Sequence, residues 1–139
     1  MMEQITKLNH YWTDIYFYLH YPHEDKISHQ AVRILQLIEK QPQVGVNEVA
    51  SFLHISPNTA SEHVKRLLEK KYIIKDKNAE DQRKVIICLT ELGKNILHRN
   101  TSLDEDKLQT VLEKLSDSEK VMIEKALEIL SEGAKKCMY

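Results

Sequence analysis

Apolar residues recur every three or four positions along most of the chain, which is the spacing typical of amphipathic helices. A first helix is predicted over residues 5–19, where the apolar positions are Ile5, Leu8, Trp12, Ile15, Tyr16 and Leu19. It should end near Tyr21 and Pro22, because the residue before a proline is pushed out of the helical region. A second helix is predicted to begin at Ser28, a good N-cap, and to run to about Lys40.

The next segment predicts two helices separated by a tight turn. Asn47 is expected to cap a short helix, and residues 44–46 before it could form a short strand. Residues 54–56 interrupt this helix, and Ser56 followed by Pro57 restarts it, since serine caps well and proline suits the first helical position. The predicted buried stripe of the second helix is Ala60, Val64, Leu67 and Leu68. Its outer face is polar and carries Asn58, Thr59, Ser61, Glu62, Lys65 and Arg66. This is the arrangement of a helix-turn-helix.

Residues 72–77 and 84–89 are β-rich runs joined by a polar connector, which predicts a β-hairpin. Thr90 should then cap a helix of about twenty residues with Leu92, Ile96 and Leu103 inside. A last helix is predicted from Ser116, where Glu119 completes a capping box. The expected fold is therefore mainly α with a small β wing (α+β).

The length of 139 residues suits one domain, and 29% charged residues predict a soluble surface. No apolar run is long enough to cross a bilayer and the start of the chain has no secretory pattern, so we expect a cytoplasmic protein without membrane contact. The net charge of −1 hides an uneven distribution. Residues 65–84 carry eight basic and four acidic side chains, whereas residues 104–132 are rich in Asp and Glu. A basic middle can present a positive face to phosphate.

Four segments together resemble the MarR family of bacterial regulators: LHISPNTAS at residues 53–61, LLEKK at 67–71, DQRK at 81–84 and LTELG at 89–93. The resemblance covers roughly residues 27–97, and its most specific part is Asp-x-Arg followed by Leu-Thr-x-x-Gly. It implies a winged helix-turn-helix over about 28–89, with dimerisation helices over about 1–24 and 90–139. The sequence departs from the family pattern at two places. The family often has glycine where this chain has Lys71 followed by Tyr72, and again where it has His54.

The resemblance also implies the residues that contact DNA. The second helix of the motif would enter the major groove with Ser56, Pro57, Asn58, Thr59, Ser61, Glu62 and Lys65. In the wing, Arg83 would reach into the minor groove, Asp81 would orient it, and Lys75, Lys77 and Lys84 would contact phosphates. The alternative is that these are ordinary solvated side chains and that Asp81 and Arg83 form a surface ion pair of little worth.

The expected function is that of a transcriptional regulator, a repressor acting as a homodimer on a pseudo-palindromic double-stranded site. No phosphate-binding glycine loop, nucleophile-base set or metal signature occurs, so neither an enzyme nor a cofactor is predicted. A winged domain that makes only protein contacts is the alternative from another class.

Release by a small ligand is a further expectation. Trp12, Tyr16 and His20 belong to an aromatic and histidine cluster that could line an effector pocket, although helix packing explains the same residues. A metal-responsive regulator would draw on His20, His23 and His29, whose spacing matches no compact ligand set. A thiol-responsive one would need a reactive cysteine, yet Cys88 is expected to be buried and inert and Cys137 to be incidental.

Overall fold

The computed structural model describes residues 1–77 and 84–137, with the backbone alone for Lys77. The elements in chain order are α1 Met2–Leu19, α2 His29–Lys40, α3 Val46–Leu53, α4 Pro57–Glu69, β1 Ile73–Lys77, β2 Val85–Leu89, α5 Glu91–Thr101, α6 Glu105–Glu113 and α7 Asp117–Lys136. The prediction of a mainly helical chain with a small β-hairpin is confirmed. The chain divides into two compact units, one of residues 20–102 and the other of residues 1–19 with the residues from 103 onward.

The unit of residues 20–102 holds the hydrophobic core of the described chain. Helices α2, α3 and α4 contribute to it with both strands and α5, and its largest fully buried side chains are Ile34, Leu35, Val49, Val64, Ile73 and Leu97. Full burial of one such side chain contributes about 1.5–3 kcal/mol. The predicted stripe of α4 is confirmed, since Ala60, Val64 and Leu67 are buried and Leu68 packs against the core.

The two strands are antiparallel, with Ile73 opposite Leu89 and Lys77 opposite Val85. Ile73 and Ile87 are buried whereas Ile74 is exposed, as expected for side chains that alternate between the two faces of a sheet. The predicted hairpin strands are thereby confirmed. Residues 78–83, which connect them, lie outside the described residues.

The prediction for the start of the short helix was wrong. Helix α3 begins at Val46 with Gly45 as its N-cap, so Asn47 lies in the first turn. The Gly45 N–H donates to the Glu48 carboxylate at 2.9 Å, which fixes this earlier start. Residues 44–46 do not form a strand either. The Val44 carbonyl accepts one hydrogen bond from the Ile87 N–H at 2.8 Å beside β2, after which the chain enters the helix.

The predicted long helix from Thr90 is two helices. Helix α5 ends at Thr101 and α6 begins after Asp104, whose carboxylate accepts the N–H groups of Asp106 and Lys107 at 2.9 and 3.3 Å. This cap explains the break, because an aspartate in that geometry satisfies the free amides of a new helix. Leu92 is 46% exposed and Leu103 lies between the two helices, so neither is an inward position of one helix. The inner residues of α5 are Gly93, Ile96 and Leu97.

The end of α4 and the start of α5 are held together by backbone contacts. Lys71 takes the left-handed conformation with φ 64°, and the Tyr72 N–H donates to the Leu67 carbonyl at 3.1 Å. Helix α4 thus ends in the manner of a glycine C-cap with lysine in the glycine position. Thr90 binds both residues, since its hydroxyl donates to the Lys71 carbonyl at 2.6 Å and its N–H to the Tyr72 carbonyl at 3.0 Å.

Gly93 is required for this junction. A Cβ atom at Gly93 would lie 2.0 Å from the Tyr72 carbonyl oxygen, far inside van der Waals contact. The Gly93 N–H also donates to the Thr90 hydroxyl at 3.0 Å. The Leu-Thr-x-x-Gly segment is therefore the part of the sequence that lets α5 approach the end of α4.

A second tie joins the segment before α2 to α5. The Asp25 carboxylate accepts from Arg99 Nε at 2.9 Å and Nη2 at 3.2 Å, and Asn100 Nδ2 lies 3.4 Å from it. The hydrogen bond from Arg99 lowers the pKa of Asp25. Nearby, the Tyr21 hydroxyl is 3.1 Å from His98 Nε2. Together these contacts anchor the chain that leads into α2.

The other unit contains α1, α6 and α7, and none of these described helices has a buried residue. The predicted capping box at the start of α7 is confirmed: the Ser116 hydroxyl accepts the Glu119 N–H at 3.2 Å, and the Ser116 N–H donates to the Glu119 carboxylate at 3.0 Å. The exposed large apolar side chains of α7 are Val121, Met122, Ile123, Leu127, Ile129 and Leu130. No described helix is long and apolar enough to cross a membrane.

We expect Gly93→Ala to destabilise the protein by about 3 kcal/mol, because the added methyl group forces backbone apart. Gly133→Ala is the matched control, since a Cβ there meets nothing within 4 Å and alanine favours the helix by about 1 kcal/mol. Urea unfolding followed by circular dichroism measures both. A Gly93→Ala variant as stable as the wild type would show that the junction is not close-packed.

We expect Asp25→Asn to lower the free energy of unfolding by about 1 kcal/mol at neutral pH, since it loses the ionic bond with Arg99. The folded-state pKa of Asp25 is lowered, so this stability is present above the ordinary pKa of about 4 and disappears as the pH falls through the folded value. Unfolding titrations at several pH values should show the two proteins converge in acid. Asp117→Asn is the control, because that side chain is fully exposed. A constant difference between Asp25→Asn and wild type at every pH would contradict the ionic origin.

Candidate nucleic-acid interface

The turn between α3 and α4 is set by local hydrogen bonds. His54 adopts the left-handed conformation with φ 56°, and the Ile55 N–H donates to the Ala50 carbonyl at 3.0 Å. The histidine thus takes the geometry for which glycine is common, at the position where the sequence departs from the family pattern. Ser56 then caps α4, because its hydroxyl oxygen accepts the Thr59 N–H at 3.1 Å.

Helix α4 presents an exposed polar face beside its buried stripe. The predicted contact residues Pro57, Asn58, Ser61, Glu62 and Lys65 are all exposed. Ser56 and Thr59 are exposed as well, and their hydroxyl oxygens lie 2.9 Å apart. These two side chains therefore maintain the start of the helix, whereas Asn58, Ser61, Glu62 and Lys65 leave their polar groups on the outer surface.

The basic side chains of this region form no ion pairs with acidic ones in the described part of the chain. Within residues 1–77 and 84–137, Lys65, Arg66, Lys70 and Lys71 form no ion pair with a carboxylate. Helix α7 differs, since Lys125 pairs with Glu128 at 3.1 Å and Lys135 with Glu132 at 3.0 Å. Uncompensated cations around an exposed helix give a positive surface potential that attracts polyanions.

The wing is described only in part. Lys75 in β1 and Lys84 just before β2 are exposed, and the backbone of Lys77 pairs with that of Val85. The predicted contacts at Asp81 and Arg83 lie outside the described residues. Their roles stay predictions, as does a contact between the Lys77 side chain and DNA.

The predicted effector residues belong to different compact units. Trp12 and Tyr16 lie on α1, where their exposed fractions are 55% and 36%, whereas His20 belongs to the unit of residues 20–102. Helix packing does not bury the aromatic side chains of α1 in the described chain, since α1 has no buried residue. The effector role therefore stays a prediction.

The two alternative signals that the sequence suggests are a metal ion, bound by histidines, and the oxidation of a cysteine. Among the described residues, no group of three or more His, Cys, Asp or Glu side chains is placed to hold a metal ion. The prediction that Cys88 is buried was wrong, because Cys88 in β2 is only half-buried. Its neighbour Ile87 is buried in the core, and successive side chains of a strand point to opposite faces. Cys137 follows α7 and is exposed.

Comparison with known proteins identifies this helix-turn-helix. Residues 27–85 match the model of the MarR family. YfiV of Bacillus subtilis (strain 168), described as an uncharacterized HTH-type transcriptional regulator, is 29% identical over 113 residues, which are 79% of this chain and 71% of that protein.

Two solved structures share the fold. A mutant of Lactococcus lactis ZitR is 25% identical to this chain, with a TM-score of 0.54. The alignment covers 94% of this chain and 97% of the ZitR chain. A MepR mutant from a multidrug-resistant S. aureus clinical isolate is 26% identical to this chain, with a TM-score of 0.57. The alignment covers 83% of this chain and 84% of the MepR chain. Over residues 27–85 the winged helix-turn-helix of this chain is therefore similar to the MarR family, and its fold is that of these solved structures.

Proposed function

We propose that the protein is a transcriptional repressor that binds a pseudo-palindromic site in double-stranded DNA as a homodimer. The observation that carries this proposal is the exposed polar face of α4, flanked by cations without acidic partners in the described chain. The family is one of regulators, not of enzymes, and supports no catalytic reading. The proposed place of action is the cytoplasm, where the chromosome of a bacterium lies.

In this proposal α4 lies in the major groove. Asn58, Ser61 and Lys65 offer hydrogen-bonding groups to base edges, and Glu62 can accept from the amino group of cytosine. Ser56, Pro57 and Thr59 would lie at the start of the helix, near a backbone phosphate. Arg83, oriented by Asp81, would enter the minor groove, and Lys77 and Lys84 would hold phosphates beside it.

The homodimer is proposed from the apolar surface of α1 and α7. A single chain leaves Leu8 and Trp12 of α1 and Leu127 and Leu130 of α7 about half exposed or more. Two-fold packing of identical surfaces is the commonest way to cover such helices. A two-fold dimer would set two α4 helices about 34–36 Å apart, one turn of DNA.

Release from DNA by a small ligand is part of the proposal. Trp12, Tyr16 and His20 are the residues we assign to its binding. Aromatic side chains offer an apolar surface and an imidazole offers a polar group, the combination that small-molecule sites use.

Selection of bound duplexes from a random pool should yield a palindromic consensus. With that duplex, we expect Asn58→Ala to weaken binding by about 100-fold, since the dimer loses one base contact in each half-site and each contact contributes roughly 1–3 kcal/mol. Binding to a scrambled duplex should be unaffected. Arg83→Ala should weaken binding to both. Fluorescence anisotropy measures each affinity, and Asn95→Ala, an exposed asparagine on α5, is the control. Recovery of no consensus would reject sequence-specific binding and favour a protein-interaction module.

We expect the double variant Leu127→Glu and Leu130→Glu to be monomeric, because burying two carboxylates in an apolar interface costs several kcal/mol. Analytical ultracentrifugation of the full chain measures the mass. Lys125→Glu is the control, since it adds a carboxylate to the same helix at a position that already forms an exposed ion pair. A wild-type protein that sediments as a monomer at micromolar concentration would contradict the dimer.

A further inference from the structure

A cleft lies between the first turn of α2 and the C-terminal half of α4. Six polar side chains line it: Ser28, His29, Gln30, His63, Arg66 and Lys70. Its base is apolar, because the buried residues Ile34 and Leu67 lie beneath. Both walls belong to the compact unit of residues 20–102. The cleft is thus formed by two helices that share one core.

Every charged side chain that lines this cleft is basic. Arg66 and Lys70 carry fixed positive charges, and the imidazole rings of His29 and His63 add N–H donors. The sequence places Glu62 four residues before Arg66 and Glu69 three residues after it, positions from which helical ion pairs form. Neither pair is made in the described chain. The cations of the cleft are therefore available to an anion from outside.

The position of the cleft on α4 indicates which anion it meets. At about 100° per residue, positions 63, 66 and 70 lie roughly a quarter turn around the helix from positions 58, 62 and 65. The cleft therefore borders the face that we assign to base contacts. When a helix lies in the major groove, the surface beside its base-contacting face meets the phosphate backbone that forms the groove wall.

We propose that this cleft binds the phosphate backbone of the DNA strand that borders α4. Arg66 and Lys70 supply the charge, and His29 and His63 donate hydrogen bonds to the phosphate oxygens. The proposal rests on the proposed function, since it needs α4 in the major groove. It adds a contact surface that includes the start of α2, outside the helix-turn-helix and the wing.

The test measures the affinity of the full chain for the selected duplex and for a scrambled one at several salt concentrations. For the double variant Arg66→Gln and Lys70→Gln, we expect the slope of log affinity against log salt to fall by about 3.6, because the dimer loses two phosphate contacts from each protomer and each contact contributes about 0.9. Affinity should fall by about 10-fold for both duplexes, so that their ratio is unchanged. Arg66→Lys should retain the wild-type slope, since the charge is kept.

Lys40→Gln with Lys94→Gln is the matched control, because it removes two positive charges from the same unit but outside the cleft, where each lysine already has a glutamate partner. Circular dichroism shows whether each variant is folded. Equal losses in control and test variants would overturn the cleft proposal and assign the effect to net charge. A test variant with wild-type slope and affinity would overturn it too, and would favour an acidic protein segment as the occupant. A wild-type protein without salt-dependent DNA binding would instead reject the proposed function itself.

Discussion

The contact between Gly93 and the Tyr72 carbonyl is the constraint on which the winged unit depends. Helix α4 must end abruptly at Lys71 for the hairpin to begin, and Thr90 binds the carbonyls of Lys71 and Tyr72 as the hairpin finishes. A side chain at position 93 would block this approach. The same few residues therefore determine where α4 stops, where β1 starts, where β2 ends and where α5 begins.

The two units differ in how their apolar residues are used. Residues 20–102 bury a continuous core, so that α4 is held firmly while its outer face stays polar. Helices α1, α6 and α7 bury no residue in the described chain, although α7 alone carries six exposed large apolar side chains. A self-sufficient core beneath an exposed polar helix suits reading of DNA, and uncovered helices suit assembly with a second copy.

Local signals in the sequence predicted the elements well wherever one cap dominates. Ser28, Ser56 and Ser116 each cap the helix that they were expected to cap. The prediction of Asn47 as an N-cap was wrong because Gly45 and Glu48 start the helix earlier. The prediction of one long helix after Thr90 was wrong because Asp104 caps a new helix. The bond between Asp25 and Arg99 joins residues 74 apart, and no local pattern contains it. The cleft was missed for the same reason, since periodicity gives the faces of α4 but not that α2 places His29 opposite one of them.

In the proposed complex, two copies of α4 occupy successive major grooves on one face of a duplex. Hydroxyl-radical footprinting of the full chain on its selected duplex tests this most directly, because it reports backbone protection at each nucleotide. We expect two protected segments related by two-fold symmetry and centred about 10 base pairs apart. A single protected segment, or uniform weak protection along the duplex, would contradict it.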